Sequence, residues 1–389
     1  MSIYEFSSPP EAGEGEVVLT PILLGERKDD HSDIRLIKLI VSVTLGITLV
    51  LAAGYLAAVV LSDGAILMRP SEVAMERHET YNTLVQPASG LTGNGVVACI
   101  VDSGIAPDHA DLEGINLVGW KDFVNGNGQP YDDHGHGTSM AGILVANGWL
   151  KGVAKEVDLL VAKALGGDGS GNDETVAEAI DWCAENGAHV ISLSLGGAPG
   201  ILPFTLGSGR SSGDAANDAI DLGIYVVAAA GNDGEDDDGD VAHPSSEVGV
   251  ISVGGVTIKG THWSGSSKGD NNGRLLPLPV LMPRGDPNKK PEIVAPAEGV
   301  PVLLNDGGWG IADGTSAATV YVTGALCLLL EEKPDLRADQ SDGGADNVDT
   351  VKRLLKDSVV PQEGQTTHDD YYGYGLLNIR GLIEDATQG

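Results

Sequence analysis

Apolar residues fall into one long run and a series of short ones. Leu39 to Leu61 is apolar throughout except for Ser42, Thr44, Gly46, Thr48, Gly54 and Tyr55. At about 1.5 Å rise per residue, a helix of that length spans roughly the 30 Å hydrocarbon core of a bilayer. The pattern predicts a transmembrane helix over 39–61. A buried core helix is the alternative, but no partner pattern flanks the run. A cleaved signal peptide has a shorter apolar core that starts earlier. Residues 1–38 are polar, with Ser7-Ser8-Pro9-Pro10 and acidic residues up to Glu16. They have little to bury and are expected to be a disordered tail. Residues 62–88 read as a juxtamembrane connector.

From about residue 89 the apolar runs shorten. Val96 to Val101, Val157 to Ala164 and Val190 to Leu195 are nearly continuous. Such runs suit strands of a parallel sheet, buried on both faces. Helical spacing lies between them. Val176, Ile180 and Cys183/Ala184 form one apolar stripe across Glu174 to Asn186, and Gly187 is a plausible stop. A small-residue helix is expected after His136, and the run Val320 to Leu330 predicts a buried helix. The fold class is therefore α/β, with a mostly parallel central sheet flanked by helices, over residues 89–385.

Composition narrows the function. The chain has 389 residues, enough for one large domain with appendages. It carries 56 acidic against 23 basic residues, a net charge of −33. No nucleic-acid partner is expected, because that needs a basic footprint. The same charge argues against electrostatic docking on anionic lipid. A field this negative self-repels in dilute buffer and is screened by salt, which fits a halophilic host. A merely acidic secreted enzyme is the alternative. Arg35 and Lys38 precede the long apolar run and Asp63 follows it. The positive-inside rule then places the N-terminus in the cytoplasm and residues after 61 outside the cell membrane. The three cysteines, Cys99, Cys183 and Cys327, sit in apolar settings and read as buried small hydrophobes, not as a disulfide framework.

Four stretches carry candidate chemistry. Ile100-Val101-Asp102-Ser103-Gly104 ends an apolar strand on a carboxylate. Asp132-Asp133-His134-Gly135-His136-Gly137-Thr138 places a histidine at the head of a helix. Ala228-Ala229-Ala230-Gly231-Asn232 puts an amide after a buried strand, where it can donate to an oxyanion. Asp313-Gly314-Thr315-Ser316-Ala317-Ala318 sets a serine among small residues at a helix start. Small neighbours let a substrate carbonyl come close, and the helix N-terminus favours developing negative charge.

The order Asp, His, Ser with these motifs resembles the subtilisin-like serine proteases, or subtilases. The resemblance runs from about Ser89 to Ile383. It implies a serine endopeptidase acting through an acyl-enzyme on protein or peptide substrates. It assigns Ser316 as nucleophile, His136 (which precedes Gly-Thr) as base and acid, Asp102 as its orienting partner and Asn232 as oxyanion donor. His134 is left as a loop residue. The resemblance makes Gly169 and Ser170 a substrate-pairing edge. Ser194, Leu195 and Gly196 form one wall of the primary pocket, and Ala229, Ala230 and Gly231 another. Small residues there suit an apolar side chain; Asp233 and the run Glu235 to Asp238 leave a basic one open. Three positions depart from the family pattern: Ser139, Ala297 and Val320 stand where histidine, glycine and proline are usual. Many secreted subtilases carry a pro-domain longer than the 62–88 connector, so one of that kind is expected to be absent. No cofactor is required for the chemistry. Structural calcium is left open, with Asp233 to Asp238 or Asp168, Asn172 and Asp173 as oxygen-rich segments and no ligand set assigned. The alternative from another class is an inactive peptide-binding relative.

Overall fold

The computed structural model describes residues 31–61, 69–197, 209–234, 239–271, 274–275, 278–279, 283–340 and 342–388. The chain divides into two units, residues 1–67 and 68–389. The described part of the first is one helix, α1 (His31–Leu61). Within it, Ile34–Ala58 is long and apolar enough to cross a membrane, and its apolar side chains are exposed. The helix begins ahead of the expected Leu39, so residues 31–38 are helical rather than tail. Once a helix has nucleated, each added residue gains a hydrogen bond, and Ile34, Leu36 and Ile37 extend the apolar surface. Residues 1–30 lie outside the described residues.

The second unit begins with α2 (Glu72–Leu84), capped by Ser71, whose Oγ accepts from Ala74 N at 3.1 Å. The stretch read as a connector thus holds a helix, and its Tyr81 and the following Val85 belong to the core of this unit. Next come β1 (Val97–Asp102), β2 (Asn116–Asp122), α3 (His136–Val145), β3 (Asp158–Lys163), α4 (Asp173–Glu185), β4 (Val190–Leu193), α5 (Ser212–Asp221), β5 (Tyr225–Ala229) and β6 (Ile251–Val256). A short antiparallel pair, β7 (Arg274–Leu275) and β8 (Leu278–Pro279), precedes β9 (Ile293–Pro296). The hairpin β10 (Val300–Leu303) and β11 (Trp309–Ala312) leads into α6 (Thr315–Glu332), α7 (Ala345–Ser358) and α8 (Ile379–Gln388).

The central sheet has seven strands in the order β2-β3-β1-β4-β5-β6-β9. Every pairing in it is parallel. From β1 the chain winds to one side through β3 and to the other through β4, so the topological switch lies at β1. Open α/β sheets form their binding crevice there, beyond the carboxyl ends of the strands. All of β4, β5 and β6 is buried, as continuous apolar runs require. Helix α6 packs on β4, β5, β6 and β9 and is buried from Thr315 to Leu330. Val320, in place of a proline, leaves that helix unbroken and is itself buried.

The cysteine expectation is corrected. Cys99 on β1 and Cys183 on α4 form a disulfide, with Cα atoms 5.9 Å apart. Helix α4 packs over β1 and β3, which brings together two residues 84 positions apart. Each cysteine is buried, as expected; the pairing depends on that crossover and has no local signal. Cys327 in α6 is buried and free, and burial raises its thiol pKa.

Candidate active site

Strand ends and helix starts supply the four chemical groups. Asp102 is the last residue of β1 and is fully buried. Its Oδ1 accepts from Ser103 N at 2.7 Å. His136 opens α3, and its Nδ1 lies 2.8 and 2.9 Å from the two Asp102 carboxylate oxygens. The Asp102 charge raises the His136 pKa above the ordinary imidazole value, while burial opposes it. Gly137 explains the close fit. A Cβ at this position would lie 2.1 Å from Gly104 O, so only glycine lets the first turn of α3 sit against the end of β1.

A buried carboxylate holds this turn in shape. Asp132 Oδ1 accepts from Ser103 Oγ at 2.9 Å and from Gly135 N at 2.7 Å. Its Oδ2 accepts from Thr138 N at 2.8 Å and Thr138 Oγ1 at 2.7 Å. Burial acts to raise the Asp132 carboxyl, but these donors outweigh it and hold it below the usual range. Lys163, buried at the end of β3, donates to Asp133 Oδ1 and Ser103 O, each at 2.6 Å. It ties the loop after Asp102 to the loop before His136. Asp132 opens the His136 stretch without a role of its own there, and Lys163 did not stand out, because acidic loop residues and strand-end lysines are ordinary surface residues.

Ser316 is the second residue of α6 and largely buried. Its Oγ donates to Ser194 O at 3.1 Å, and Ser194 Oγ donates to Ser316 O at the same distance. Asn232 follows β5. Its Oδ1 accepts from Thr315 N and Thr315 Oγ1, both at 2.9 Å. The Thr315 N–H can only donate, which settles the amide's orientation: Oδ1 faces Thr315 and Nδ2 is the donor end. Thr315 thus fixes the Asn232 side chain, a contact that the Gly-Thr-Ser motif contained without showing its partner.

Beside His136 runs a cleft of about 910 Å³. Gly169, Ser170, Ser194, Leu195 and Gly196 line it, together with His134, Leu165 and Val176. Asp173 lines it as well, as do Asp214, His243 and Glu247, which sequence reasoning did not single out. Ala229, the last residue of β5, and Ala230 after it are buried, and Gly231 N donates to Thr315 Oγ1 at 3.2 Å. These three are not among the cleft's lining residues. The acidic run 235–238 lies outside the described residues. Among the described residues no cluster of three or more His, Cys, Asp or Glu side chains is arranged to hold a metal. Asp168 Oδ1 accepts from Ser170 N at 3.0 Å, and Asn172 Oδ1 caps α4 through Thr175 N at 2.8 Å.

The subtilase family model matches residues 93–375, which hold the carboxylate at the strand end, the histidine on it, and the serine and amide at the start of α6. The chain belongs to the subtilases. This subtilase is 32% identical to subtilisin DY of Bacillus licheniformis over 301 residues, which cover 76% of the chain and 94% of that protein. It is 30% identical to the serine protease AprX of Bacillus subtilis (strain 168) over 326 residues, 77% of the chain and 69% of that protein. A solved cold-adapted subtilisin-like serine proteinase matches with a TM-score of 0.58 at 26% identity, covering 75% of this chain and 91% of that one. The protease domain of PatA shares the fold, with a TM-score of 0.61 at 22% identity over 78% and 99% of the two chains. This subtilase is thus a serine peptidase, a hydrolase of peptide or protein substrates.

Proposed function

We propose that the chain is a membrane-tethered serine endopeptidase in which Ser316 attacks the scissile carbonyl. The contact that carries this reading is the 2.8 Å approach of His136 Nδ1 to the Asp102 carboxylate. It holds Nδ1 protonated and leaves Nε2 to take the Ser316 proton and return it to the leaving amine. In this mechanism the Ser316 side chain turns away from Ser194 O to give up its proton to that nitrogen. The tetrahedral oxyanion is held by Asn232 Nδ2 and the Ser316 N–H. An extended peptide pairs with Gly169 and Ser170 on one side and with Ser194 to Gly196 on the other, so backbone hydrogen bonds supply much of the affinity. Asn232→Ala is expected to keep the fold and lower kcat by roughly 10²–10³-fold, the size known for such a donor in subtilisin itself. Steady-state kinetics check it; unchanged turnover removes Asn232 from the mechanism.

The tether is α1, with the N-terminus in the cytoplasm and the peptidase outside. Arg35 and Lys38 at its start support that direction. The Cys99–Cys183 disulfide supports it independently, because such bonds persist in oxidising compartments.

The bond from Ser316 to Ser194 O also suits an inactive peptide-binding relative. Treatment with a fluorescent serine-directed phosphonate separates the two. In low and multi-molar salt we expect an adduct that peptide mapping places on Ser316. No adduct at any salt, in protein shown to be folded, overturns the peptidase reading in favour of the binder.

A further inference from the structure

Helix α2 lies ahead of the matched family region, which begins at residue 93. It nevertheless reaches the nucleophile loop through one turn of backbone, residues 297–299. Tyr81 is fully buried, and its hydroxyl donates to Glu298 O. Burial first, with Glu298 adding and Arg77 opposing, pushes the Tyr81 pKa up to about 12, so the phenol keeps the proton it donates. Arg77 Nη1 donates to Gly299 O at 3.3 Å. Gly299 has φ +65°, and a Cβ there would lie 2.1 Å from Arg77 Nη1, so the guanidinium needs glycine beside it.

The opposite side of the same turn holds the loop before Ser316. Ala297 O accepts from Gly314 N at 2.8 Å, and Gly299 N donates to the Asp313 carboxylate. The far end of α2 is fastened too. Val85 O and Gln86 O accept from Ile379 N at 3.0 Å and Arg380 N at 2.9 Å, at the start of α8. Helix α2 therefore has a defined pose from which to hold the turn.

We propose that Arg77 and Tyr81 are positioning residues for the nucleophile. They fix the carbonyls of Glu298 and Gly299, that turn fixes Asp313 and Gly314, and Ser316 with its N–H is aimed by the result. The segment between the apolar helix and the family region is then part of the catalytic scaffold. This inference rests on Ser316 as nucleophile.

The test uses the full chain in detergent. Tyr81→Phe, Arg77→Ala and Arg77→Lys are compared with wild type, and Thr80→Ala, on an exposed position of α2, is the control. Three readouts are taken below the onset of melting: kcat per phosphonate-titrated site, KM, and hydrogen exchange at residues 310–318. Tyr81→Phe and Arg77→Ala should each lower kcat per site about three- to tenfold with KM within about twofold, since a small misplacement of a reacting group is costly. Arg77→Lys should recover part of the loss, Thr80→Ala should match wild type, and exchange at Gly314 and Thr315 should quicken in the impaired variants. A lower melting temperature with kcat per site and exchange unchanged overturns the proposal. An adduct on a residue other than Ser316 sinks the nucleophile reading and, with it, the catalytic part of this one. The exchange readout still decides, on its own, whether α2 holds the loop.

Discussion

Replacing Ser316 with alanine is expected to lower kcat on a peptide substrate by on the order of 10⁶-fold, the size known for the same replacement in subtilisin rather than one derived from this chain. The sharper expectation concerns the pair. Ser316 and His136 act in one proton transfer, so neither is useful without the other. His136→Ala alone should cost about as much, and adding it to Ser316→Ala should cost almost nothing further. Residual hydrolysis above the uncatalysed rate should survive in the double variant, because Asn232 and the cleft remain to hold the substrate and its oxyanion. Single-turnover assays at high enzyme concentration check this. Losses that multiply would show that the two groups act independently, and the mechanism proposed for them would fall.

Asp102→Asn is expected to lower kcat by about 10⁴-fold, through tautomer rather than geometry. An amide can present a donor to Nδ1, which favours the neutral ring with its proton on Nε2, the wrong nitrogen for a base. The pH profile gives a second signature. Protonated His136 cannot accept a proton, so kcat/KM rises with pH through the His136 pKa. The Asp102 charge raises that pKa from 6.5, so the wild-type acid limb should lie above that value. Removing the charge leaves the opposing effect of burial, so the limb in Asp102→Asn should move down. A limb that stays in place would mean that another group titrates there. A limb that moves up would contradict the cause assigned to the shift.

The candidate reactive groups were legible because chemistry leaves few options at their positions. His136-Gly137-Thr138 and Gly314-Thr315-Ser316 are local motifs, and their glycines answer to local sterics: a Cβ at Gly137 would meet Gly104 O. The strands at β1, β3 and β4 were legible because a parallel strand buried on both faces must be an unbroken apolar run. Helix α2 was not, because its buried positions are few and its remaining surface is charged. Its place is set by Tyr81 and Arg77 meeting carbonyls more than two hundred residues away.

The amino-acid sequence alone determined the fold class, the family and the long apolar run, and it marked the four candidate groups, because each depends on residue type and spacing within a few turns of chain. Only the tertiary structure decided what those groups touch: the Cys99–Cys183 bond, Lys163 tying two site loops, Thr315 orienting Asn232, Ser316 turned to Ser194, and α2 on the 297–299 turn. Each of these joins segments that lie far apart along the chain. A buried polar atom takes whichever partner packing brings within reach, and local pattern does not encode that choice.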